Sequence, residues 1–175
     1  GTLLVDWLSP RSPEYCDRIV RHEAGHVLAA YLLGIPIDNY TLTAWETLKI
    51  GVGGSGGVIF KTDDIDQAVE IGKISQQQID RYCTVWMAGI AAEELTYGSA
   101  QGGRDDRLKL NLLWQQINRP LAEVPLKQRW SMLQAKTLIE KQPDAYDALI
   151  DAMAERRPVE ECCELIEQHL QPAGV

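Results

Sequence analysis

Two histidines four residues apart, His22 and His26, enclose Glu23, Ala24 and Gly25 in a stretch with the composition of one long helix. Residues four apart on a helix stand one above the other, so both imidazoles can be offered to a single metal ion. Glu23 sits one step round, where a carboxylate can take a proton from a water activated by that ion. The same spacing arises by chance on polar helix faces, but the chain holds only three histidines and two of them are these. The third, His169, falls on a C-terminal helical segment and is expected at the surface.

A catalytic zinc site takes three protein ligands and keeps one position open, so a further ligand has to come from elsewhere in the chain. Cysteine, histidine or a carboxylate would serve, and spacing alone does not select among 25 acidic residues. Asp105 and Asp106 stand out because they open a helix directly after Gly102-Gly103-Arg104, where a short carboxylate can be held firmly. The four cysteines, Cys16, Cys83, Cys162 and Cys163, show no C-x-x-C spacing, and the adjacent pair is badly placed for an intrachain bridge. They are expected to be reduced, buried core residues in a cytosol-like compartment.

The elements that must position these groups follow from punctuation and period. Ser12 as N-cap, Pro13 at the first helical position and Glu14 beside the positive helix end begin a helix that runs to Gly34, with Pro36 beyond. Gly25 weakens that helix by about 1 kcal/mol relative to alanine, which a close neighbour, backbone included, would explain. Short strands are expected at Tyr40-Thr41-Leu42-Thr43 and Gly57-Val58-Ile59-Phe60, joined by a glycine-rich run over 51–57. That run lacks the G-K-[ST] ending and following helix of a phosphate loop, and reads as a hairpin connection.

Asp63, Asp64 and Asp66 suit the N-terminus of a short helix over about 64–72 as solvated charge. Ser75 then caps a long helix whose apolar residues from Ile79 to Ala91 recur every three or four positions and which closes at Leu95 and Gly98. A helix from about Asp105 to Asn118 carries Leu108, Leu112, Leu113 and Ile117 on one side. Helices from Pro125 (with Trp130, Leu133, Ala135 and Leu138), over 144–156 and over 159–170 complete the chain. The fold class expected is mainly α, with a small β element between the first helix and those that follow.

At 175 residues with 45% hydrophobic and 24% charged residues, a single soluble domain over 1–175 is expected. It divides into an apolar lead-in at 1–11, a metal-site core at 12–118 and C-terminal helices at 119–175. A net charge of −8 without a basic cluster argues against nucleic acid as a partner, and no apolar run approaches the length of a membrane span. A start at Gly1 rather than Met leaves room for an upstream anchor or domain.

Taken together, three blocks resemble the peptidase domain of the FtsH-type zinc metalloproteases. His22-Glu23-Ala24-Gly25-His26-Val27 matches that family's H-E-A-G-H form. Ala88-Gly89-Ile90-Ala91-Ala92-Glu93-Glu94 through Gly98 is similar to its G-G-R-A-A-E-E segment, and Gly102-Gly103-Arg104-Asp105-Asp106 to its segment ending in the aspartate ligand. The likeness spans roughly residues 13–140. It implies a helical zinc-peptidase domain with His22, His26 and Asp106 as zinc ligands and Glu23 as catalytic carboxylate. Asp105 becomes a neighbour of the site, and Glu93 and Glu94 become candidates to orient a ligating imidazole. The strand Gly57, Val58, Ile59, Phe60 is similar to the family's edge strand, on which an extended substrate pairs by β-addition.

The resemblance implies zinc as cofactor, short or unfolded polypeptides as substrates, and self-association or a separate ATPase as partners. Its expected setting is the cytoplasm or an organelle's equivalent, with any membrane association supplied by a segment outside these residues. The chain departs from the family at Ile90, where the family has arginine, and at Arg107, where it has leucine. Neither a Walker A sequence nor a transmembrane helix is present in these 175 residues. An ATP-independent metallopeptidase is therefore the first expectation, and a peptidase-like binding or assembly factor that keeps the fold is its rival.

Overall fold

Helix α1 covers Pro13–Leu32, and from His22 to Ala30 every one of its residues is buried. A helix enclosed on all sides needs neighbours on all sides, and the rest of the chain supplies them. The structure is a computed structural model that describes residues 13–43 and 57–172. The expected cap Ser12, the apolar lead-in at 1–11 and the glycine run over 51–56 lie outside the described residues. Gly34 follows α1 with φ +72°, a left-handed stop that suits glycine, and Pro36 prevents resumption.

Strands β1, Ile37–Thr41, and β2, Gly57–Phe60, form a two-stranded antiparallel sheet in which Ile37 pairs with Phe60 and Thr41 with Gly57. β2 lies where the sequence places it. β1 starts three residues before Tyr40 and ends at Thr41, because the four residues of β2, with an irregularity between Ile37 and Asn39, set which residues find partners.

Among the described residues six further α-helices follow: α2 Asp63–Glu70, α3 Gln76–Tyr97, α4 Arg104–Gln116, α5 Val124–Lys141, α6 Pro143–Ala154 and α7 Val159–His169. The protein is thus mainly helical with a small sheet after its first helix. Ser75 caps α3 in a reciprocal box: its Oγ accepts from the Gln78 N–H at 3.1 Å, and the Gln78 side chain accepts from the Ser75 N–H at 3.0 Å. Gly98, in the left-handed region, ends it. The apolar stripe expected on α3 is in fact a buried cylinder from Tyr82 to Glu93, since α1 packs on one side and α5 on another.

The expected face of α4 is rotated. On α4 the buried residues are Asp106, Leu110, Leu113 and Trp114, while Leu108 and Leu112 are exposed. On α5 they are Val124, Ser131, Ala135 and Ile139, and Trp130 and Leu133 face outward. Helix α6 packs on α1, where the Tyr146 hydroxyl donates to the Arg21 carbonyl at 2.9 Å, and α7 packs on α6 and β1. Residues from all seven helices and both strands are buried in the core or packed against it. Asp63, Asp64 and Asp66 are exposed in the first turn of α2, although Asp64 also accepts a hydrogen bond from Tyr82 at 2.5 Å. Cys83 and Cys162 are buried and Cys163 partly so. Cys16 is exposed, contrary to expectation, because it lies near the start of α1, before the helix is enclosed; none of the four cysteines is in a disulfide. His169 is exposed and bonds within its own helix, to the Leu165 carbonyl at 2.8 Å.

Candidate metal centre

The long approach between α1 and α3 is made by two glycines. A Cβ on Gly25 would stand 2.5 Å from the Ala88 carbonyl oxygen and 2.8 Å from the Ala92 side chain, so only glycine lets the two backbones come together here. A Cβ on Gly89 would stand 2.3 Å from His22 Nε2, so the imidazole lies flat over bare α3 backbone. The helix weakness accepted at Gly25 thus has its expected cause, a neighbouring backbone.

Against that surface three donor atoms converge. His22 Nε2 lies 2.9 Å from Asp106 Oδ2, His26 Nε2 lies 3.1 Å from the same oxygen, and the two Nε2 atoms are 3.2 Å apart. The three residues are buried, and they form a group able to hold a metal ion. Their other ring nitrogens are committed. His26 Nδ1 is 2.7 Å from the Val85 carbonyl oxygen, which can only accept, so Nδ1 carries the proton. His22 Nδ1 is 2.7 Å from Glu93 Oε2 and donates to that carboxylate.

With the protons on Nδ1, histidines in the neutral form would present bare Nε2 lone pairs to each other and to a carboxylate oxygen. Three such atoms about 3 Å apart repel unless a cation joins them. Donors on a tetrahedral zinc, bonded at about 2.0–2.1 Å, stand about 3.3 Å apart, close to the spacing here. Two imidazoles and one carboxylate are also a donor set that zinc accepts. The residues therefore fit the ion that the sequence led us to expect.

The same demand for positive charge appears in the proton affinities. Burial would depress the His22 pKa, but its hydrogen bonds to Asp106 and Glu93 and the charges of Glu23 and Asp106 push it up to about 10. Burial would raise the Asp106 carboxyl, but His26 and His22 hold it far below the usual carboxylate range. Glu23 goes the other way: burial raises it, the two histidines only partly offset this, and Asp106 adds to the rise. Glu93, despite burial, is held low by His22 and by the Gln101 and Gly102 N–H groups.

Among the described residues Glu23 Oε2 has no hydrogen-bond partner, and it lies 3.9 Å from the point where a side chain on Gly57 would begin. It borders a cleft of about 900 Å³ that also contains His22, His26, Asp106 and the whole of β2, Gly57, Val58, Ile59 and Phe60. Phe60 turns its ring edge to His26 at 6.2 Å, and the Lys109 ammonium lies 5.6 Å from the Phe60 ring centre. Asp105 is exposed on the cleft wall, outside the donor cluster.

Of the two neighbouring glutamates, Glu93 reaches His22 and Glu94 does not. One step along a helix turns a side chain by about 100°. With Glu93 facing α1, Glu94 turns to α5 and pairs with Lys136 at 2.7 Å. Sequence reasoning missed the Val85 carbonyl, the Gly89 platform and Arg18, whose guanidinium is 3.3 Å from Glu93 Oε1. For Arg18 a signal existed: it lies four residues before His22 and so on the same helix face. No family model matches this chain, and no curated protein matches it at a meaningful level of similarity.

Proposed function

We propose that the protein is a zinc-dependent, ATP-independent metallopeptidase that hydrolyses peptide bonds in short or unfolded polypeptides. The observation that carries this reading is the pairing of the convergent His22, His26 and Asp106 donor triangle with the buried Glu23 Oε2, which has no hydrogen-bond partner among the described residues, on one cleft wall. His22, His26 and Asp106 would hold the ion. When bound, zinc supplies Lewis-acid chemistry, which lowers the pKa of water toward about 7 and polarises a carbonyl.

The remaining work belongs to the chain. Glu23 accepts the water's proton at Oε2 and returns it to the leaving amine; its raised pKa brings it nearer the working pH of such a transfer. Glu93 and the Val85 carbonyl fix both imidazoles so that Nε2 faces inward. β2 has a partner on one side, β1, and among the described residues none on the other, so an extended peptide can add to it along the cleft. Gly57 keeps the space before Glu23 clear of a side chain. No helix among the described residues is long and apolar enough to cross a membrane.

Metal analysis combined with cleavage of a broad set of unfolded substrates tests the reading. The wild type is expected to bind one zinc and to cut, and Glu23→Gln to bind zinc with cleavage reduced by about 100-fold or more. Zinc binding without cleavage by either protein would remove the enzyme reading and leave a metal-bearing protein that acts by holding its partner.

A further inference from the structure

Among the described residues Arg18 is the one arginine on the wall of this cleft that is buried, with 8% of its surface exposed, and it is not explained by the chemistry above. Its Nη1 donates to Glu93 Oε1 at 3.3 Å and to the Ser99 carbonyl at 3.2 Å. Its guanidinium lies over the Tyr97 ring at 4.1 Å, and its Nε stands 3.5 Å from Glu14, long for a hydrogen bond. Glu93, 2% exposed, is in turn a hub. Oε1 accepts the Gln101 N–H at 3.1 Å as well as Arg18. Oε2 accepts the Gly102 N–H at 3.2 Å as well as His22 Nδ1 at 2.7 Å.

Two chain segments that bring metal-binding groups to the centre meet at this carboxylate. One is α1 with His22; the other is the connection over 98–103, which delivers Asp106 at the start of α4. We propose that Arg18 is a positioning residue: by holding the Glu93 carboxylate in place, and by gripping Ser99, it ties that connection to α1 and so sets the third donor against the first two.

Burial supports the assignment. A buried guanidinium costs several kcal/mol unless it is paired, and a hydrophobic residue could fill the same space without that cost. The family the sequence resembles places an arginine where this chain has Ile90, and Ile90 here packs against Gly103 at the foot of α4. In this chain the cation that acts on the 98–103 connection comes from α1, one turn before His22.

The inference rests on the metal-site reading, and its test separates the two. Zinc affinity is measured by competition with a chromophoric chelator, and amide exchange is followed over 99–103, for wild type, Arg18→Met, Arg18→Lys, Glu93→Gln and Arg18→Met/Glu93→Gln. Arg18→Met and Glu93→Gln are each expected to weaken zinc binding by about 10–100-fold, with the double substitution no weaker than the worse single one. Arg18→Lys, whose ammonium keeps the charge, is expected to recover part of the loss. Exchange of the Gln101 and Gly102 amides is expected to quicken in Arg18→Met before any global loss of structure.

Should Arg18→Met fail to fold, the comparison moves to the Glu93→Gln background, where no buried carboxylate is stranded. There the added Arg18→Met is expected to change zinc affinity by less than about threefold. Losses that add in full, or an Arg18→Met protein that binds zinc as the wild type does, overturn the positioning role alone. A wild type that binds no zinc removes the metal-site reading and this role with it.

Discussion

At the scale of single residues, two adjacent aspartates are sharply different in their relation to the histidine pair. Asp106 is buried and touches both Nε2 atoms, while Asp105, one helical step away, looks into solvent. Asp106→Asn keeps the shape but replaces an anionic oxygen with a neutral one between two imidazoles, and zinc affinity is expected to fall by more than about 100-fold. Asp105→Asn is expected to stay near wild type, and equal losses measured by chelator competition would defeat the assignment. His22, Glu23 and His26 were legible from the sequence because all three lie within one helical turn and a half, where spacing dictates geometry. The choice between Glu93 and Glu94 was not. It depends on the rotational phase of α3, and a helix buried all round carries no apolar stripe from which phase can be read.

At the scale of elements the site is a product of how closely α1 and α3 approach, and the two glycines at that contact are expected to fail differently. Gly89→Ala improves intrinsic helix propensity by about 1 kcal/mol, yet its methyl would occupy the place of the His22 ring. The ring must swing away, so zinc binding is expected to fall by an order of magnitude or more with a change in stability smaller than that of Gly25→Ala. Gly25→Ala instead drives a methyl into the Ala88 carbonyl, which cannot yield without parting the helices; a loss of about 1–3 kcal/mol is expected from urea unfolding of the zinc-free protein. If both variants bound zinc normally, the close approach would not be what builds the site. The same packing explains the misjudged face of α4. Leu108 and Leu112 gave a plausible apolar side, but Asp106 has to enter the centre, and the buried side follows it at 106, 110 and 113. A polar residue set the rotation, and apolar periodicity has no means of reporting that.

At the scale of the whole molecule, the mainly helical architecture and the position of the small sheet were legible, because caps, glycines and prolines mark helix ends locally. What escaped was the electrostatic consequence of closing four titratable groups into one buried place, since those groups come from α1, α3 and α4. That consequence is measurable as stability against pH in zinc-free protein. His22 has its pKa raised from about 6.5 in the unfolded chain to about 10 in the folded one, so its contribution is complete below pH 6.5 and is lost as pH rises toward 10. Glu23, also raised, loses favour in the same direction once pH passes its ordinary value. Asp106 and Glu93 are depressed; their contributions are present above the ordinary carboxylate range and are lost as pH falls through it. Chelator-treated protein is therefore expected to be most stable on the mildly acid side and to weaken steadily from pH 6.5 to 10, as read from urea midpoints. Zinc should invert this trend. The ion and the proton compete for the same Nε2 lone pair, so the stabilisation added by zinc is expected to grow from pH 6 to pH 8. A zinc-free profile that is flat from 6.5 to 10, or a zinc increment that shrinks as pH rises, would mean that His22 does not face the Asp106 carboxylate as described.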